Sequence, residues 1–138
     1  MSTRSEKLLQ QRPQIPSSKV HENMSRDEYF QNAVIRPILK LQNELFLEVF
    51  KNYIRKHKNV FHGLSIPKKL QYIENSVQRD VKFRNNLKGM ILGLLTLEEF
   101  EVYTENSSAL NKRMMNLLIE RLKDQVQLLE KDNPALSA

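Results

Sequence analysis

The chain has 138 residues, 40% hydrophobic and 28% charged, carries a net charge of +6 and contains neither cysteine nor tryptophan. This is the length of one domain, long enough to bury a core without covalent staples. The lack of cysteine excludes disulfides, thiolate metal sites and a cysteine nucleophile, and three glycines with five prolines argue against a turn-rich all-β fold.

Residues 1–24 contain Pro13 and Pro16, scatter their charges and show no apolar period, which predicts an extended or disordered N-terminal arm. Leu8, Leu9, Ile15 and Val20 are the side chains available to anchor it on the body. No export signal is visible in this stretch. The longest uncharged apolar run, residues 89–97, is far shorter than the ~20 residues a membrane span needs. A cytoplasmic chain without a membrane span is therefore expected.

A helical domain is predicted over residues 25–131. Ser25 and Glu28 have the spacing of a capping box, in which each side chain satisfies an orphan backbone donor of the other's residue. Phe30, Val34, Ile38, Leu41, Leu45 and Val49 then recur in steps of three and four, the period of a helix with one buried face. Pro37 interrupts this stripe, so a break or sharp kink is expected near Arg36 and Pro37, with Pro37 in the first turn of a long helix reaching Phe61. Gly63 suits a left-handed stop, and Ser65 with Pro67 predicts the next helix start. That helix carries Ile66, Leu70, Ile73, Val77 and Val81, and it continues over residues 83–95 either unbroken or after a bend. Thr96 and Glu99 form a second capping box, opening a short helix with Leu97, Phe100 and Tyr103. After a turn at residues 106–108, a last long helix runs to about Lys131 with Met115, Leu118, Leu122, Val126 and Leu129 along one side. Residues 132–138 are predicted to form a flexible tail. The fold class predicted is an all-α antiparallel bundle of about five helices, two of them long.

The charge is unevenly placed. Residues 51–88 hold ten cations and only Glu74 and Asp80 as acids, net +8, while the remainder nets −2. Such a segment favours anionic partners. Its candidate contact residues are Lys51, Arg55, Lys56, Lys58, Lys68 and Lys69. Gly89 and Gly93 share a helix face, and the cost of two interior glycines predicts close approach of another helix there. The stripe from Met115 to Leu129 has near-heptad steps, and Met114, Leu117, Ile119 and Leu128 widen it, so it serves either the core or a homodimer interface.

Conventional catalytic patterns are missing. His57 and His62 are five apart, His21 lies in the arm, and none has the i, i+3 or i, i+4 partner of a helical metal site, so no metal and no cofactor are expected. No nucleophile elbow or glycine-rich phosphate loop is present. Glu44 with Glu48 and Glu98 with Glu99 read as exposed helix positions, although carboxylates distant in sequence can still meet in space.

The stretches RPILKLQNELFLEVFKNY, FRNNLKGMILGLLTLEEFE and NSSALNKRMMNLLIERLKDQVQLLE resemble a small group of uncharacterised helical bacterial proteins, over roughly residues 1–131. Some of those sequences carry a glyoxalase-related label. The resemblance implies no active-site residues for this chain. The label implies either a His, Glu and Gln metal site on paired βαβββ modules or a His-rich dinuclear motif, and neither pattern occurs in these residues. The function expected from the sequence is a non-enzymatic, self-associating helical module that binds a protein or other anionic partner. The alternatives are a nucleic-acid-associated protein using residues 51–88 and a glyoxalase-related enzyme.

Overall fold

The computed structural model describes residues 2–14 and 23–130. Ile15, Val20 and His21, and the predicted tail over 132–138, lie outside the described residues. Every regular element among the described residues is helical: α1 (Thr3–Gln11), α2 (Arg26–Phe30), α3 (Arg36–Leu41), α4 (Asn43–Lys56), α5 (Ile66–Arg79), α6 (Val81–Leu92), α7 (Leu97–Glu105) and α8 (Ser107–Asp124). Single-turn pieces at Val60–Gly63 and Val126–Leu129 complete it. No helix among these residues is long and apolar enough to cross a membrane.

Pro37 lies in the first turn of α3, as expected, but the helical backbone runs through it without a break. A wide turn over Gln31–Ile35 precedes it, in which the Arg36 N–H donates five residues back, to Gln31 O. Widening the turn at Ala33, whose carbonyl would otherwise meet the proline ring, lets residues 26–41 stay helical. The interruption falls instead at Gln42 (φ −90°, ψ 3°), whose side-chain amide donates to Met90 O at 3.3 Å. The helix also stops before Gly63. Lys58 (φ 62°) and Asn59 (φ 57°) take the left-handed conformation, and Asn59 N donates to Ile54 O at 3.0 Å. This closes the helix end in the manner usually left to glycine.

Capping chemistry is realised unevenly. Thr96 and Glu99 form the full reciprocal box. Ser25 makes one half, its hydroxyl accepting from Glu28 N. Ser65 makes no side-chain cap bond, and Pro67 in the first turn stands beside it. Asp80 separates α5 from α6, its carboxylate accepting from Phe83 N at 3.2 Å.

The core is built around α8. Leu110, Met114, Met115, Leu117, Leu118, Ile119 and Leu122 are all buried within the chain. They pack with the wide turn Gln31–Ile35, α5, α6 and α7, and Val126–Leu129 packs on α4. Phe50 sits among Tyr53, Phe61, Tyr72 and Phe83, with ring centroids 5.8–6.3 Å away.

The predicted arm is a helix over Thr3–Gln11, and it is docked. The Arg4 guanidinium donates to Gly93 O and Leu95 O, both at 2.8 Å. Arg12 donates to Leu94 O at 3.1 Å and forks onto the Glu99 carboxylate, which also accepts from Thr96 N. Ser5, fully buried, accepts from Leu97 N. The reason is electrostatic: the carbonyls of residues 93–95 lie just past the C-terminal, negative dipole end of α6, and two guanidiniums satisfy them. Apolar periodicity does not report such docking. Arg12→Ala is expected to lower stability by about 1–3 kcal/mol, because it strands half-buried Glu99. It should also raise amide exchange across Thr3–Gln11 while leaving α8 protected. Unchanged exchange in α1 would show that the arginine does not hold it.

The close approach expected at Gly89 and Gly93 is absent. A Cβ built on Gly89 meets nothing within 4 Å, and one on Gly93 meets only Gly89 O at 3.2 Å. Gly93 ends α6, and Gly89 lies on the exposed face. Gly89→Ala should therefore stabilise the protein by about 0.5–1 kcal/mol through helix propensity. A fall in melting temperature would instead reveal a packed surface at this position.

Candidate anion-binding groove

Two helix faces meet where α6 packs on α8. On α6, Arg84 and Lys88 are one turn apart, with Asn85 beside Arg84. On α8, Ser108, Lys112 and Asn116 follow at i, i+4 and i+8, with Asn111 and Met115 adjoining them. Together with Gln78 from α5 they line a groove of about 420 Å³. Its walls hold three cations, four carboxamides and a hydroxyl, and no carboxylate among the described residues.

The groups are partly preset. Arg84 donates to Gln78 O at 2.7 Å, which anchors the guanidinium on a neutral acceptor, and it makes no ion pair among the described residues. Asn111 accepts from the Tyr103 hydroxyl at 2.6 Å, so its amide N–H groups remain available as donors. Neither Lys88 nor Lys112 has a carboxylate within ion-pair distance among the described residues. A concave surface donating hydrogen bonds and carrying net positive charge suits phosphate or carboxylate groups.

The six cations chosen from the sequence are only partly available. Arg55, Lys56, Lys58 and Lys68 are exposed around the end of α4 and the start of α5. Lys51 leans on Glu48 at 3.4 Å. Lys69 is 6% exposed, its Nζ donating to Glu130 at 2.7 Å and standing 5.4 Å from the Phe61 ring centroid. Counting charges along the chain missed this inward turn, which the apolar neighbour and the acid close to the C-terminal end produce. Lys112, Asn111 and Asn116 were not singled out at all. Their signal, a polar i, i+4, i+8 series beside the apolar stripe of α8, has meaning only once α6 is known to lie against it. Of the proposed interface stripe, Met115, Leu118, Leu122 and Leu129 are buried in the core, and Val126 packs against it half-buried. That stripe serves this chain's own interior.

A second, more open cleft of about 540 Å³ is lined by Tyr53, His57, Val60, Tyr72, Asn75, Ser76, Arg79 and Asp80. Tyr53 is stacked between His57 and Phe83, with centroid distances of 4.0 and 4.1 Å. Its hydroxyl donates to Asp80 at 2.9 Å. Burial, reinforced by that bond, raises the Tyr53 pKa to about 12. Asp80 is held below the usual carboxylate range by the Phe83 N–H and the Tyr53 hydroxyl. The carboxylate is thus occupied as a helix cap and phenol acceptor, an arrangement that locks the α4, α5 and α6 junction. His57 Nδ1 donates to Tyr53 O at 2.8 Å, since a carbonyl can only accept. Among the described residues no three His, Asp or Glu side chains are grouped to hold a metal ion. Glu44, Glu48 and Glu98 are exposed, but Glu99 is engaged by Arg12.

No protein-family model, no curated protein and no solved structure matches the chain.

The Tyr53–Asp80 bond gives a signed pH dependence. The folded state holds the phenol proton more tightly, so Tyr53's contribution is complete below its unfolded pKa of 10.0 and is lost as pH rises toward about 12. Asp80 is the reverse: its contribution is present above its unfolded pKa of 3.8 and is lost as pH falls below it. Melting curves of the wild type and Tyr53→Phe should converge as pH rises from 10 to 12. Parallel curves would show that the phenol does not titrate in this way.

Proposed function

We propose that the chain is a non-enzymatic helical module that binds an anionic partner through the α6–α8 groove. The observation that carries this reading is the lining itself: Arg84, Lys88 and Lys112 with four carboxamides and no acid. Exposed Lys56, Lys58 and Lys68 extend the positive potential beyond the groove and favour encounter. A cytoplasmic setting belongs to the same reading. Self-association loses its sequence-based support, because the α8 stripe is used inside the chain.

The test is fluorescence anisotropy with two labelled probes, a random-sequence DNA duplex and a polyglutamate peptide. Three phosphate contacts would weaken duplex binding about 40-fold between about 50 and 200 mM salt. The double variant Lys88→Glu, Lys112→Glu should abolish binding of whichever probe the protein takes, while retaining the wild-type far-ultraviolet spectrum. Absence of salt-sensitive binding to either probe, or binding unchanged in the double variant, overturns the reading.

A further inference from the structure

The opposite flank of α8 carries a different arrangement. Here α8 lies beside the wide turn Gln31–Ile35 and α3, and three arginines line the seam. Each is held by a neutral amide oxygen. Arg113 donates to Gln31 Oε1 at 2.9 Å, Arg36 Nε donates to Asn32 Oδ1 at 3.0 Å, and Arg121 donates to Asn43 Oδ1 at 3.4 Å. Asn43 and Gln125 exchange amide hydrogen bonds in both directions at 2.8 Å, and Gln125 also donates to Arg121 O at 3.1 Å. No carboxylate stands within ion-pair distance of Arg36, Arg113 or Arg121 among the described residues.

Arg36 and Arg121 face one recess of about 310 Å³, floored by Leu39 and Leu117, with Gln125 on its wall and Glu120 and Asp124 lining the rest. Both acids are exposed. Two half-buried guanidiniums sharing a recess repel one another. Burial, and then the charge of Arg36, pull the Arg121 pKa below its ordinary value, against the opposing charge of Asp124. Amide partners orient a guanidinium without neutralising it, so the forks are preset and the charge remains. An oxyanion between them would relieve the repulsion and accept from both forks.

We propose that the Arg36–Arg121 recess is a binding site for a small dianion offering oxygens to two guanidiniums, a phosphate group or a dicarboxylate. The recess is separate from the α6–α8 groove and independent of the function proposed for it.

The experiment is thermal melting of the full chain with inorganic phosphate, succinate, acetate or sodium chloride at equal ionic strength. A dianion at tenfold excess over its dissociation constant should raise the melting temperature by roughly 3–6 °C, and acetate and chloride should not. A shift with phosphate alone or succinate alone identifies which oxyanion the recess takes. Arg36→Gln and Arg121→Gln should each abolish the shift. The double variant Lys88→Glu, Lys112→Glu should keep it, which separates this site from the groove. Should either arginine variant fail to fold, a second pair decides. Glu120→Gln with Asp124→Asn alters only exposed groups and should tighten binding of the dianion, by calorimetry, roughly three- to tenfold. The proposal is overturned if chloride or acetate reproduces the shift, if the shift survives in a folded arginine variant, or if removing the two acids leaves affinity unchanged.

Discussion

The burial of α8 is the constraint from which the rest of the molecule follows. Seven apolar side chains over one 18-residue helix cannot be covered from a single direction. Helices must lie on more than one side of it, and α5, α6 and α7 do so along with the wide turn before α3. Each seam between α8 and a neighbour then displays the residues that border the apolar stripe. On the α6 side these are Ser108, Asn111, Lys112 and Asn116, and on the α3 side they are Arg113 and Arg121. Both polar recesses are thus consequences of how one greasy helix hides itself. A large-to-small change inside the stripe would cost about 2–5 kcal/mol and loosen both seams together.

A second theme is the pairing of arginine with neutral oxygen. Arg4 caps the α6 carbonyls, Arg84 takes the Gln78 carbonyl, and Arg36, Arg113 and Arg121 take side-chain amides. Arg12 differs, since it reaches both a carbonyl and the Glu99 carboxylate. A carbonyl or amide satisfies the donor geometry of a guanidinium without cancelling its charge. The structure therefore holds these cations in fixed positions without neutralising them through these bonds. Lys69 shows the contrary case: 6% exposed, it is paired with a carboxylate, that of Glu130, and set over Phe61.

Much of the helical layout was legible in the chain because it is written in local chemistry. The full capping box at Thr96 and Glu99, the Ile73 and Val77 centre of the stripe predicted from Ile66 to Val81 and the apolar coverage of α8 all act within a few residues of one another, whereas Ile66 and Val81 at the ends of that stripe are exposed. The misses arise where distant residues act. A break or sharp kink was expected at Pro37; the proline does lie in the first turn of a new helical segment, but a wide turn just before it keeps the chain helical. Gly63 was expected to stop a helix that Lys58 and Asn59 had already closed. Residues 3–11 were read as part of an extended or disordered arm with only Leu8 and Leu9 to anchor it there, since two arginines reaching the end of α6 leave no periodic trace. Gly89 and Gly93 suggested close packing, and Gly89 faces open space.

The amino-acid sequence by itself determined an all-helical chain, a strongly basic middle and the apolar face of its last helix. These depend on composition and on periods of three and four, which any helix must obey. Only the tertiary structure decided which cations share a recess, which one turns inward, and that the C-terminal stripe is core. Those outcomes depend on which helix lies against which, and that pairing is chosen by the joint burial of many side chains far apart along the chain.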